Sequence, residues 1–525
     1  MIHVKTFRSV TRLKTNQLSS SIQTATVTLK AVPSKGKQEQ TALHSLIKKR
    51  SNEVEGEVAA YAMLQAANLR SSVDLQNLIE VPQQKAMEIM DAQENVVLTL
   101  MPIIEAHIKS FPSSTQISIV SALAQLQHYS EVIFDSVAET CISLNDATGG
   151  IIDALAAASS SSAVSAEVKQ PPPHGDPTPS PSSSSPSSTS QGIQDEHGVI
   201  GLQLLMISSA FALAGHYNEI LMDLIADQTI QYLENIESLP VLINILGSFM
   251  DLQHDHRDLL LSLGDKLDEQ MSNLEPEGAA MLILLFSFFR VENETFYADL
   301  LRVASRFNPK DIDPKSMSML YRGLKLLPEP KPSIPEEITA LLQRALTEFG
   351  PFALSVTSPS SIPSLELLQE IERKAEQPET AQLIMENRMF EIMVRSDVYS
   401  GLTLLLGLNC DRNITITTDG WLLGHICSEA DGYKLVYQVL SPDRACQNIP
   451  TRLRGQILSE ILCMQLAGWV VIPVLMTEFL SVMSPEGPES GQNDSKMQAM
   501  LVKHLENLTS DAVGEFETLR NPEPA

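Results

Sequence analysis

Apolar residues between positions 86 and 327 return at helical spacing, in stretches separated by short polar turns. One stretch runs Ser121-Ala122-Leu123-Ala124-Gln125-Leu126-Gln127-His128-Tyr129-Ser130-Glu131 and continues through Val132-Ile133-Phe134-Asp135-Ser136-Val137-Ala138. It is written again 88 residues later, from Ser209 to Ala226, with Ser, Ala, Ala, His, Tyr, Glu, Asp and Ala in register. Weaker copies occupy Pro240–Leu267 and Ala279–Ala304. Met317–Leu327 opens another, and Ala86–Ile108 holds the second helix of an earlier one. Starts near 201, 239 and 277 give a period of about 38 residues, within the range of helix-pair repeats. Each copy predicts a first helix in which small residues (Ala122, Ala124; Ala210, Ala212) allow close approach. A polar His/Asp/Asn/Glu turn follows. The second helix carries an apolar stripe, Val132, Ile133, Val137 or Ile220, Leu221, Leu224, Ile225. One such pair cannot hide its apolar face but stacked pairs can, so the pattern predicts an α-solenoid.

Two segments break the period. From Ser159 to Gln194 Ser and Pro dominate and apolar periodicity vanishes, which predicts a disordered insertion inside the array. From Asn413 the residues turn β-prone, with NITITTDGWLLGHI, then a strand over Tyr433–Leu440, a helical stretch over Arg452–Leu466 and a strand over Trp469–Leu475. That order predicts a small α/β domain with a βαβ element. The tail after Ser484 reads as a short charged helix between flexible pieces. The expected layout is a basic leader over 1–50, helical repeats over 51–158, the insertion over 159–198, and more repeats over 199–405. The α/β domain over 406–483 and an acidic tail over 484–525 complete it.

Composition agrees with helices: 43% of the chain is hydrophobic but only 5% aromatic, so Leu, Ala, Ile and Met supply the apolar mass. No uninterrupted apolar run is long enough to span a bilayer. The net charge is -27, which argues against nucleic-acid binding over the whole surface while leaving room for a local basic patch. Residues 1–50 depart from it, with ten basic side chains against Glu39, a net of +9 that leaves -36 for the rest. Phe7, Val10 and Leu13 stand among Lys5, Arg8, Arg12 and Lys14 in an acid-free, Ser/Thr-rich stretch. This is the composition of an organellar presequence, mitochondrial first and plastid second. Cys141, Cys410, Cys427, Cys446 and Cys463 lie far apart without metal spacing and read as reduced packing thiols.

Candidate chemistry is sparse. His128-Tyr129 and His216-Tyr217 read as repeat corners. His254-Asp255-His256 suggests a metal pair but lacks further ligands at motif spacing, so a solvated loop is expected. Phosphate-loop, dinucleotide, nucleophile-elbow and zincin motifs are absent, and no cofactor or metal is expected.

The C-terminal segment is more informative. Gln438-Val439-Leu440-Ser441-Pro442-Asp443, then Arg452-Leu453-Arg454-Gly455-Gln456-Ile457-Leu458, then Gly468-Trp469-Val470-Val471-Ile472-Pro473 with Glu478-Phe479, resembles the RAP domain. In that family a strand with Glu-x-Asp-Gly-Pro precedes a basic helix and a Gly-Trp/Tyr-x-Val-x-x-Pro strand closing with Glu-Trp. RAP domains follow helical repeats in organellar RNA proteins, such as the FAST-kinase-like proteins and the RAP proteins of alveolates. The resemblance implies a restriction-endonuclease-like fold. Here Gln438 and Leu440 stand where the family places its acids. Neither can hold a hard cation, so the domain is degenerate and no enzymatic activity is expected.

The resemblance therefore implies a non-enzymatic organellar RNA-associated protein of the mitochondrial matrix. It would bind or scaffold RNA, rRNA included, among other proteins of a ribonucleoprotein assembly such as the mitochondrial ribosome. Arg444, Arg452 and Arg454, with Lys434, are the candidate phosphate contacts. The alternative is an α-solenoid protein-interaction scaffold of another mitochondrial assembly, with the RAP-like domain reduced to packing.

Overall fold

A computed structural model describes residues 56, 59–64, 67, 97–148, 191–308, 314–349, 415–416, 422–423, 426–430, 432–440, 442–476, 478–479 and 494–520. The leader expected over 1–50 and the insertion as far as 190 lie outside them. The chain is mainly helical, with a small parallel strand pair near its C-terminus. It forms two compact units, Met1–Phe249 and Met250–Ala525.

The first unit contains α1 (Ser113–Leu126), α2 (Glu131–Thr148), α3 (Gln191–Ala214) and α4 (Glu219–Gln231). Helix α1 packs on α2 and on α3, and α2 packs on α4. The insertion ends earlier than 198: residues from Gln191 onward already belong to α3, since no proline stands between Pro186 and Pro240 and apolar residues resume at Ile193. Helix α1 stops because Gln127 turns left-handed (φ 59°), which lets His128 N–H donate to Leu123 O at 3.0 Å and Gln127 N–H to Ala124 O at 3.1 Å. Three residues on, Ser130 caps α2. The same corner closes α3 at Gly215, and Asn218 Oδ1 then accepts Leu221 N–H at 3.0 Å.

This corner holds an aromatic core. The Phe134 and Phe211 rings meet edge to face at 5.2 Å, and buried His216 lies against both. Tyr129 OH and His216 Nδ1 share a hydrogen bond of 2.9 Å. On its other side Nε2 lies 3.2 Å from Asp135 Oδ1, poorly aligned for a hydrogen bond. Burial pushes the His216 pKa down, and the Asp135 charge only partly offsets it. Unfolding restores the ordinary value, so the unfolded chain takes up the proton first. Stability is full above about pH 6.5 and falls as pH drops towards the lowered folded value. Unfolding of the full chain between pH 7.5 and 5 should show this loss, and His216→Gln should flatten its slope.

The second unit opens on Met250 and Asp251, the last residues of α5 (Leu239–Asp251). It continues through α6 (Arg257–Glu269), α7 (Pro276–Phe288), α8 (Glu294–Ala304), α9 (Pro314–Leu326) and α10 (Glu336–Phe349). The left-handed corner returns at Gln253 (φ 55°) and Arg290 (φ 51°). Caps follow again three residues later: His256 Nδ1 accepts from Leu259 N–H at 3.2 Å, and Asn293 Oδ1 from Phe296 N–H at 3.1 Å. The His254–His256 turn is thus less solvated than its polar sequence suggests, because His256 caps a helix and His254 is buried. Helix α7 packs on α8 and α9. At Gly323 the α9 backbone comes so close that an added Cβ would lie 2.8 Å from Leu284 N.

A short hairpin, β1 (Thr415–Ile416) with β2 (Leu422–Leu423), precedes a three-stranded sheet. There β3 (Ile426–Ala430) runs antiparallel to β4 (Tyr433–Leu440), and β4 runs parallel to β5 (Trp469–Leu475), crossing over through α11 (Gly455–Leu466). Strands β4 and β5 occupy the residues expected for them. They are buried on both faces. Leu435, Tyr437 and Val439 with Val470, Ile472 and Val474 meet α12 (Asp494–Arg520) through Leu501, Leu505, Ala512 and Phe516. Val436 and Leu440 with Val471 and Leu475 meet α11 through Ile457, Ile461 and Met464, and Tyr321 and Leu326 of α9 pack against this second cluster. The tail expected after 484 is therefore corrected: α12 is a wall of the α/β core. Helices before residue 405 and the sheet after it share one compact unit.

Candidate nucleic-acid interface

The four cations singled out in the sequence do not converge. Lys434, exposed near the start of β4, lies over the Trp469 ring at 5.7 Å. Lys434 to Leu440 alone spans about 20 Å of strand, and Arg444 sits beyond that, in a short turn after Pro442. Its Nε approaches Asp443 Oδ2 at 3.7 Å, and about a quarter of its side chain is exposed.

Arg452 and Arg454 have a different role. The helix expected from Arg452 starts at Gly455, because residues 444–454 form a paired loop first. Ala445 bridges Leu453, Cys446 N–H donates to Arg452 O at 2.8 Å, and Arg454 N–H donates to Arg444 O at 2.9 Å. From that loop both guanidiniums reach the corner that follows α5. Arg452 Nε donates to Leu252 O at 2.9 Å and its Nη2 to Gln253 O at 2.6 Å. Arg454 Nε donates to Asp251 Oδ2 at 2.9 Å, and its Nη2 pairs with the same carboxylate oxygen. Gln253 answers by donating to Leu453 O. These groups satisfy carbonyls that a helix end leaves open. Gly455 is pressed against the Met250 carbonyl, so the start of α11 is covered by protein. A phosphate-binding patch built on Arg452 and Arg454 is thereby corrected to a joint inside the second unit.

A second joint lies along the first turns of α11. Arg322 of α9 is fully buried, donating through Nη1 to Ser459 Oγ at 2.7 Å and more weakly to Gln456 O at 3.4 Å. Burial lowers its pKa, opposed by the charge of buried Glu460. Cys463 Sγ contacts Arg322 O at 3.8 Å. Burial raises the Cys463 thiol to about 12, Cys141 to about 12 and Cys446 to about 11, so all three stay protonated packing thiols. Sequence spacing carried no sign of either joint, whose partners lie between 134 and 203 residues apart.

At the end of β4, Gln438 is buried with no hydrogen-bond partner for its Oε1 among the described residues, and Leu440 lies in the core against α11. Asp443 is exposed, and Phe479 is buried against the α12 face of the sheet. Among the described residues no three His, Cys, Asp or Glu gather as a metal site, and no helix is long and apolar enough to cross a membrane. No protein-family model matches the chain, and no curated protein matches it.

Proposed function

We propose that this chain is a non-enzymatic RNA-associated protein of the mitochondrial matrix, working within a ribonucleoprotein assembly such as the mitochondrial ribosome. Its body is an α-solenoid of helix-pair repeats, and its C-terminal part is a degenerate RAP-like, restriction-endonuclease-like domain. The carrying observation is the parallel β4–α11–β5 unit, joined to helices of the array within one compact unit. The repeat reading is supported by left-handed corners at 127, 215, 253 and 290, spaced 88, 38 and 37 residues, each with a helix cap three residues on. First helices packing on first helices (α1 on α3, α7 on α9), and second on second (α2 on α4), support it too.

With Arg452 and Arg454 engaged internally, Lys434 and Arg444 are the cations left for phosphate. Two contacts give weak, salt-sensitive binding. The test is recovery of RNA crosslinked to the full chain in isolated mitochondria, with protein neighbours identified in parallel. Lys434→Gln with Arg444→Gln should lower RNA recovery several-fold and leave the helical signal unchanged. Unchanged recovery would sink RNA contact through this domain. A second reading, the protein scaffold, is favoured by one observation: between Lys109 and Arg257 the sequence holds Lys169 as its only Lys or Arg.

A further inference from the structure

We infer that the outer face of α2 and α4 is a docking surface for a basic polypeptide segment carrying apolar side chains. The inference stands apart from the RNA reading. These two helices pack side by side. Their first turns present Val132 and Ile220 to solvent, at 59% and 63% exposure. Both are second residues of their helices and are related by the 88-residue repeat, so the same apolar spot is displayed twice. Neighbouring second helices lie about 8–10 Å apart, which sets the separation of the two spots at roughly 10 Å.

Each spot stands at the head of an acidic row. Glu131, Asp135 and Glu139 follow one another at i+4 on α2, and Glu219, Asp223 and Asp227 do so on α4; all six are exposed. Asp135 already lies beside His216 Nε2. No Lys or Arg occurs anywhere on α1, α2, α3 or α4. Lys109, just before α1, reaches Glu139 at 3.1 Å. Side chains of one sign, arrayed on adjacent helices, repel nucleic acid and attract cationic partners.

The two features together select the ligand. Acids alone would hold any cation, and the paired apolar spots add a demand for side chains about 10 Å apart with positive charge between and beside them. A segment in the polyproline II conformation rises about 3.1 Å per residue with three residues per turn, so an apolar residue at every third position returns to the same face about 9 Å on and, flanked by Lys or Arg, meets both spots while its cations reach the acidic rows. Burying the two apolar contacts adds about tenfold in affinity over charge alone.

The experiment measures binding of the full chain to labelled peptides by fluorescence anisotropy at near-physiological salt. The probes are four repeats of Lys-Leu-Lys, four of Lys-Ser-Lys and four of Glu-Leu-Glu. The Lys-Leu-Lys peptide should bind about tenfold more tightly than Lys-Ser-Lys, and Glu-Leu-Glu should not bind. Val132→Ser with Ile220→Ser should bring the first peptide down to the level of the second. Glu131→Gln with Glu219→Gln should weaken both cationic peptides several-fold and flatten their salt dependence. All four positions are exposed, so each pair should keep the parent's unfolding midpoint. Glu336→Gln with Glu337→Gln on α10 should change nothing. Equal binding of the two cationic peptides, retained preference after the serine substitutions, loss with the α10 pair, or displacement of peptide by oligouridylate would each overturn the docking surface.

Discussion

Replacing Arg322 with methionine is expected to cost about 3–5 kcal/mol in the second unit, a large share of the roughly 5–15 kcal/mol that holds a domain folded. The cost arises from what stays behind. Glu460 is only 4% exposed and acts electrostatically on the guanidinium, so the single variant leaves a carboxylate in the core without that cation. Ser459 also loses the donor at its Oγ. The reciprocal variant, Glu460→Met, should cost less, because Arg322 keeps Ser459 Oγ and Gln456 O as acceptors. The double variant should recover more than half of the Arg322→Met loss, since apolar replacement of both charges removes two desolvation costs together. Urea unfolding followed by tryptophan fluorescence reads this directly. Both tryptophans, Trp421 and Trp469, belong to the C-terminal segment. Equal losses in the single and double variants would show that the two charges are not coupled.

The parts of the fold written locally were legible in the sequence. Strands β4 and β5 announce themselves as β-branched and aromatic runs bounded by turn residues, and the repeat corners as the twice-written His-Tyr turn. The 88-residue offset of that turn equals the offset of the left-handed residues Gln127 and Gly215, because backbone reversal and capping depend on a few neighbouring residues. What depends on distant partners was not legible. Arg452 and Arg454 read as free cations because their acceptors, on Asp251, Leu252 and Gln253, lie some 200 residues away. Helix α12 read as a charged tail because Leu501, Leu505, Ala512 and Phe516 are diluted by charged residues. Their spacing of i, i+4, i+11 and i+15 makes a narrow stripe, enough for a helix that covers one sheet face. Gln438 and Leu440 are uncharged, and their burial follows from a strand covered on both faces.

Substituting alanine for glycine at two positions should give opposite results. Gly514 lies on the exposed side of α12, and a Cβ added there meets nothing within 4 Å. Gly514→Ala should stabilise the protein by about 0.5–1 kcal/mol through helix propensity alone. Gly455 is also helical, as first residue of α11, so propensity pulls in the same direction. Contact decides otherwise. A Cβ at Gly455 would lie 1.7 Å from Met250 O and 2.6 Å from Met250 C, and both are backbone atoms that no rotamer change can move aside. Ordinary van der Waals contact needs more than 3 Å, so the loop must withdraw from the corner by over about 1 Å. That withdrawal stretches the bonds from Arg452 to Leu252 O and Gln253 O, and from Arg454 to Asp251, in one step. Asp251 is itself buried and would keep a carboxylate without its guanidinium. Overpacking alone costs about 1–3 kcal/mol, and the weakened charge pair adds to it, so Gly455→Ala should lose at least about 3 kcal/mol. Tryptophan-detected urea midpoints of the two variants, measured beside the parent, carry the comparison. A Gly455→Ala midpoint at or above the parent's would mean that the loop does not sit on the Met250 carbonyl, and Arg452 and Arg454 would return as candidates for phosphate.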